Sequence, residues 1–205
     1  MTTFSEQFPI VFQALNIGFL QTLKLFFVTL IGAIPLGLII SFGSMSAWRP
    51  FRVFRSVKWL SEFKPVRAIT RLVIWVVRGT PLMLQLLVFY YFPGLVLGKN
   101  IWGSGEAGRF LASSIAFIFN YACYFSEIFR GGIQAVPKGQ TEAARSLGLS
   151  SAKTMLRVVL PQAFKIAIPS LVNQFIITVK DTSILSVIGL AEVVNRAKQY
   201  VGSTF

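Results

Sequence analysis

Residues 141–161, TEAARSLGLSSAKTMLRVVLP, set Glu142, Arg145, Lys153 and Arg157 into a strongly apolar chain. What flanks the segment decides how it is read. The chain of 205 residues is 54% hydrophobic and 13% charged, whereas soluble domains are about 25% charged. Twenty phenylalanines and long uncharged runs argue that lipid is the main solvent. The expected fold class is an all-α integral membrane protein, since backbone in lipid must satisfy its own hydrogen bonds.

A helix needs about 20 mostly apolar residues to cross a bilayer. Four segments qualify, at about 17–47, 70–97, 110–129 and 158–180. Pro35, Pro81 and Pro169 fall inside them. Each frees a carbonyl that a neighbouring helix or water must satisfy, which favours a packed bundle around a cavity.

Basic residues set the orientation. Arg49, Arg52, Arg55, Lys58, Lys64, Arg67 and Arg71 lie between the first two spans, and Arg130, Lys138, Arg145, Lys153 and Arg157 lie near the third connection. The positive-inside rule puts the loops 49–71 and 130–157 in the cytoplasm, and the N-terminus and 93–109 outside. The series Arg49, Arg52, Arg55, Lys58 predicts a basic helix along the membrane surface, facing anionic membrane lipid. A net charge of +13 also raises nucleic acid as a partner. The apolar composition argues against it, so no nucleic acid is expected.

Histidine is absent and cysteine occurs once, at Cys123. Histidine triads, zinc clusters and disulfides are thereby excluded. The seven carboxylates do not cluster along the chain, which disfavours a membrane enzyme. Glu6 stands where a signal peptide would have a basic region, so no such peptide is expected.

Within the opening segment, Pro137, Lys138 and Gly139 are turn residues. A short helix is predicted over 140–147, with Ala143 and Ala144 adding little bulk. Gly148 suits a left-handed helix end, and Ser150 suits the N-cap of a helix over 151–160. Pro161 then marks the start of the last span. Two readings fit: a connecting loop, or a docking knob whose small residues admit a partner while Glu142 and Arg145 offer charged contacts.

These residues carry a resemblance. Glu142, Ala143 and Ala144, then three residues, Gly148, nine residues, and Val158-x-Leu160-Pro161 resemble the cytoplasmic EAA loop of ABC-importer permeases, with Val158 for the usual Ile. Arg78-Gly79-Thr80-Pro81, Glu127-x-x-Arg130-Gly131-Gly132-Ile133, Val136-Pro137-x-Gly139-Gln140 and Lys180-Asp181-Thr182-Ser183 are similar to the polar amino-acid uptake group.

The resemblance implies a type I ABC importer permease: one transmembrane permease domain over 1–205, with a cytoplasmic coupling loop at 131–157. The loop around 140–152 would seat on a separate ATP-binding cassette ATPase through Glu142, Ala143, Ala144, Arg145, Leu147, Gly148 and Leu149. No cofactor would be held by this chain; ATP and Mg would be bound by the partner ATPase. A second permease subunit, identical or different, and an extracytoplasmic amino-acid-binding protein complete the implied partners. The resemblance also implies a fifth span after Ser183, which is not found before Phe205.

No G-x-x-x-x-G-K-[ST] phosphate loop occurs; residues 148–154, GLSSAKT, lack the second glycine. Polar groups in spans are functional candidates. Thr80, Gln85, Asn120, Tyr121, Gln174, Lys180, Asp181 and Ser183 are the candidate substrate pathway. The alternative is interhelical hydrogen bonding, or an interfacial Lys180–Asp181 pair. Arg78 is expected to anchor its span or hold the break at 79–81. Glu127 and Arg130, at i,i+3, are expected to form a structural pair. An ATP-independent transporter or channel, or a non-transport scaffold, stays open as an alternative function.

Overall fold

The structure is a computed structural model describing residues 4–50, 62–103 and 105–204. Its helices are α1 (Phe4–Met45), α2 (Pro65–Gly79), α3 (Leu82–Leu97), α4 (Glu106–Ala135), α5 (Lys138–Ser146), α6 (Ser151–Thr154), α7 (Leu160–Asp181) and α8 (Val193–Thr204). A π turn, Met155–Val159, joins α6 to α7, and a 3₁₀ helix, Thr182–Ile188, follows α7. No strand occurs among the described residues, in line with the all-α expectation. The predicted basic surface helix of Arg52, Arg55 and Lys58 lies outside the described residues.

Lipid solvation explains which faces are buried. In α1 the buried positions are Gly18, Thr22, Leu25, Thr29, Ala33, Gly37, Ser41 and Ser44, three or four residues apart throughout. This is one helix face, and nearly all of it is small. Phe19, Phe27, Ile31, Ile39 and Phe42 are exposed. The pattern reverses that of a water-soluble helix, because hydrocarbon solvates large apolar groups and small residues let backbones approach.

The segment Ser151–Ile188 shows the same logic through three helix types. Thr154 and Val159 are buried five residues apart, across the π turn. Ala163, Ala167, Leu171, Gln174, Thr178 and Thr182 follow at three or four. Leu185 and Ile188 continue at three, within the 3₁₀ helix. The interval between buried residues tracks the residues per turn, so one face stays inward while the winding tightens.

Two boundaries differ from the sequence reading. Pro161 does not mark the start of a new helix; it is the second residue of α7, in continuous winding from Ser151. The π turn just before it re-routes the backbone bonds, with Leu160 N donating to Met155 O, where proline can give none. The segment expected as one span at 70–97 is two helices, interrupted at Thr80 and Pro81. Proline disfavours helical geometry in the residue before it, and Pro81 is extended at ψ 134°. Among the described residues three helices are long and apolar enough to cross a membrane, and the broken pair α2–α3 makes a fourth candidate.

The chain forms two compact units. One comprises Met1–Gly32, Thr80–Phe119 and Phe175–Phe205; the other comprises Ala33–Gly79 and Asn120–Gln174. In the first, Phe26 meets Phe175 edge-on at 6.3 Å, and the Lys24 ammonium lies 4.6 Å from the centre of the Phe110 ring. In the second, Phe125 lies between Tyr121 and Phe129, each ring centre 6.4 Å away.

Candidate functional site

The charged loop belongs to the second unit and is built on a small apolar seat. Val136, Val159 and Ala163 are buried together, with Ile133 and Met155 packed against them. α4 and α7 approach so closely here that a Cβ on Gly132 would lie 2.7 Å from the Ala163 carbonyl oxygen. Gln162 Nε2 donates to Val158 O at 2.9 Å and to Gln140 Oε1 at 3.4 Å, tying α5 to the start of α7.

The spacing of Glu-Ala-Ala-x-x-x-Gly has a backbone explanation. Gly148 N donates to Arg145 O at 2.9 Å, and Leu149 N donates to Ala144 O at 3.1 Å. Gly148 has φ +77°. This is a Schellman end, with Ala144 third from the last helical position and Gly148 just past the cap. The four-residue offset from the second alanine to the glycine is the offset this cap requires. Ser150 then accepts from Lys153 N at 3.4 Å and caps α6, as its position predicted.

The cap fixes which side chains face outward. Ala144 is buried, so its small size serves the seat of α5. Glu142, Ala143, Arg145 and Gly148 are exposed, and Leu149 is half-buried. Leu147 is 82% exposed, an apolar side chain presented at the end of α5. The helix begins at Lys138, two residues before the predicted start, directly after Pro137, which takes the extended N-cap geometry at ψ 134°.

The polar candidates fall in both units. Gln85 Nε2 donates to Thr80 Oγ1 at 2.7 Å and to Thr80 O at 3.1 Å, closing the break before α3. Thr80, Gln85, Lys180, Asp181 and Ser183 belong to the first unit, whereas Asn120, Tyr121 and Gln174 belong to the second. Asn120, Tyr121 and Gln174 are buried, Asp181 and Ser183 are half-buried, and Lys180 is exposed.

Glu127 and Arg130 pair as their spacing predicted, with Arg130 Nε donating to Glu127 Oε1 at 3.0 Å. The pairing extends further than the sequence suggested. Arg78 Nη1 lies 3.8 Å from Glu127 Oε2, and its guanidinium sits 5.0 Å from the centre of the Tyr124 ring. Arg130 Nη1 also donates to Gln134 Oε1 at 2.9 Å. The end of α2 is thus held to α4 by one carboxylate shared between two guanidiniums.

Glu192 was missed altogether. It is fully buried, and its carboxylate accepts from Val194 N at 2.8 Å and Asn195 N at 2.7 Å, capping α8. The clue was an acidic residue just before a short amphipathic run, which is where a helix N-terminus stabilises negative charge.

Residues 33–204 match the family described as the binding-protein-dependent transport system inner membrane component. The chain belongs to this family. It is therefore a membrane component of a binding-protein-dependent ABC transport system. Among relatives of this family, the arginine transport system permease protein ArtQ of Bacillus subtilis (strain 168) is 38% identical over 199 residues, 97% of this chain and 80% of that protein. An amino acid ABC transporter crystallised with histidines superposes with a TM-score of 0.78 at 35% identity, covering 100% of this chain and 85% of that one. The inward-facing MetNI methionine ABC transporter shares the fold, with a TM-score of 0.65 at 16% identity over 94% of this chain and 83% of that one. Inner-membrane components of this family are transport subunits, consistent with the apolar helices and the loop motif.

Proposed function

We propose that this chain imports polar amino acids by alternating access, driven by a separate ATPase that seats on the loop around 140–152. The observation that carries the coupling is the Schellman-capped α5, which holds Glu142, Arg145 and Leu147 outward on a rigid seat. Small residues admit a partner closely, Leu147 supplies an apolar anchor, and the two charges set register. Relatives named for arginine and histidine handling support the cargo class.

In this reading ATP and Mg are bound by the ATPase, and a second permease subunit completes the pathway. An extracytoplasmic binding protein delivers the amino acid. The loops 49–71 and 130–157 face the cytoplasm and the N-terminus faces outward, as the arginine and lysine distribution favours. ATPase closure draws the loops of the two permeases together and reorients the helices by a rigid-body movement.

The test is uptake of labelled arginine, glutamine and glutamate into vesicles carrying the full transporter, binding protein and ATP. Uptake of at least one is expected, and it should survive ionophores that collapse ion gradients. Uptake that needs no ATP and stops with the ionophore identifies an ATP-independent transporter instead. Leu147→Asp should abolish ATP-driven uptake without releasing the subunit from the membrane.

A further inference from the structure

Beside the Arg78–Glu127–Arg130 pairing lies a pocket of about 420 Å³, lined by Arg71, Ile74, Trp75, Arg78, Glu127 and Arg130. Three guanidiniums face one carboxylate there. Glu127 is engaged by Arg130 and approached by Arg78. Among the described residues Arg71 forms no salt bridge. Arg67, Arg71 and Arg78 recur at four and seven residues, which places them on one face of α2. Arg71 also borders a second hollow of about 450 Å³ with Arg49, Lys64 and Arg67, where Glu62 is the acidic lining residue among the described residues. Cationic groups therefore exceed carboxylates along the whole face.

The surroundings say what kind of anion fits. Trp75, in the lining of the pocket, is 74% exposed, and Ile74 lines the pocket beside it. A free anion has no use for such neighbours. An amphiphile does, because its phosphate meets the guanidiniums while its chains lie against the apolar face. Arginine matches a phosphate with two parallel donors, and tryptophan settles at the headgroup level. Basic pockets between helices on the cytoplasmic side are suited to anionic headgroups.

We propose that the pocket at Arg71, Trp75, Arg78 and Arg130 holds the phosphate of an anionic phospholipid from the cytoplasmic leaflet. The bound lipid bridges α2 to α4 at the end of α2 that precedes the Thr80–Pro81 break. The choice of leaflet rests on the sidedness proposed above; the headgroup preference does not.

The assembled transporter, reconstituted in equal parts of phosphatidylglycerol and phosphatidylcholine, is released into detergent and its retained lipids are counted by native mass spectrometry. Phosphatidylglycerol should exceed phosphatidylcholine by about tenfold or more, given several guanidiniums at the site. Arg71→Gln, which breaks no described ion pair, should lower that ratio about fivefold, the effect of removing one basic group from an anionic surface. Arg71→Lys, which keeps the charge but loses the paired donors, should lower the ratio by about twofold, and it carries the test if Arg71→Gln lowers the unfolding midpoint. A parent ratio near one, or a ratio unmoved by Arg71→Gln in a folded transporter, overturns the proposal. So does full displacement of the lipid by excess inorganic phosphate, which would make the occupant a free anion. Lipid retention is read without uptake, so a failed transport assay and a failed lipid site are distinguishable.

Discussion

At residues 147–150 the chain leaves α5 through a turn closed by backbone bonds and enters α6 on a serine cap, whereas at Thr80 and Pro81 it leaves α2 and enters α3 with a glutamine bonding back to Thr80. The first break uses a left-handed glycine, two backbone bonds back to Ala144 and Arg145, and the Ser150 cap. The second has no side-chain cap at Pro81, and Gln85 reaches back one turn to bond Thr80 twice. A backbone-closed turn holds whatever it presents in one orientation, which suits a surface that must transmit force. Bonds made by a side chain, unlike those of a backbone-closed turn, can be remade by a change of rotamer.

The comparison can be broken most decisively at the outward face of the loop. Leu147→Asp should weaken ATPase association by tenfold or more, on the order of 2 kcal/mol for an interface anchor. Its unfolding midpoint should be unchanged, since Leu147 touches solvent. Normal association by pull-down would remove the loop from coupling. Next in size, Gly132→Leu should destabilise the subunit by about 1–3 kcal/mol through overpacking against the Ala163 carbonyl. A midpoint within error of the parent would show that α4 and α7 do not need this approach.

Glu127→Gln should cost about 1–2 kcal/mol, because it leaves Arg78 and Arg130 facing each other without a carboxylate while solvent screens them in part. Denaturant midpoints measure it, and the double change with Arg78→Gln should recover some of the loss. Gly148→Ala should cost about 1 kcal/mol from its left-handed backbone alone. Open space surrounds its Cβ position, so packing adds nothing. Smallest of all, Thr80→Val should cost about 0.5–1 kcal/mol by removing the hydroxyl that accepts from Gln85. If Thr80→Val were as damaging as Gly148→Ala, the two breaks would not differ in the way described.

Legibility followed the same division. The loop was readable because a Schellman end, a serine cap and a proline-led first turn each involve residues within about five positions. The pairing of Glu127 with Arg130 was readable for that reason too, at one helical turn. Arg78 was not assigned to it, since α2 and α4 meet only through folding. The continuity through Pro161 was misjudged because a π turn leaves no residue signature of its own. Its trace appears only in the fold, as the bond from Leu160 N to Met155 O and the five-residue step in burial from Thr154 to Val159.

By itself the sequence determined the solvent of this protein, its helical class, its family and the shape of the loop between Pro137 and Pro161. Composition and local backbone geometry are properties of consecutive residues, so they survive without a fold. Tertiary structure alone decided that Gln140 meets Gln162, that Gly132 meets the Ala163 carbonyl, and that Arg71, Arg78 and Arg130 surround one carboxylate. Those relations depend on which helices touch, and contact between residues far apart in the chain is settled by packing.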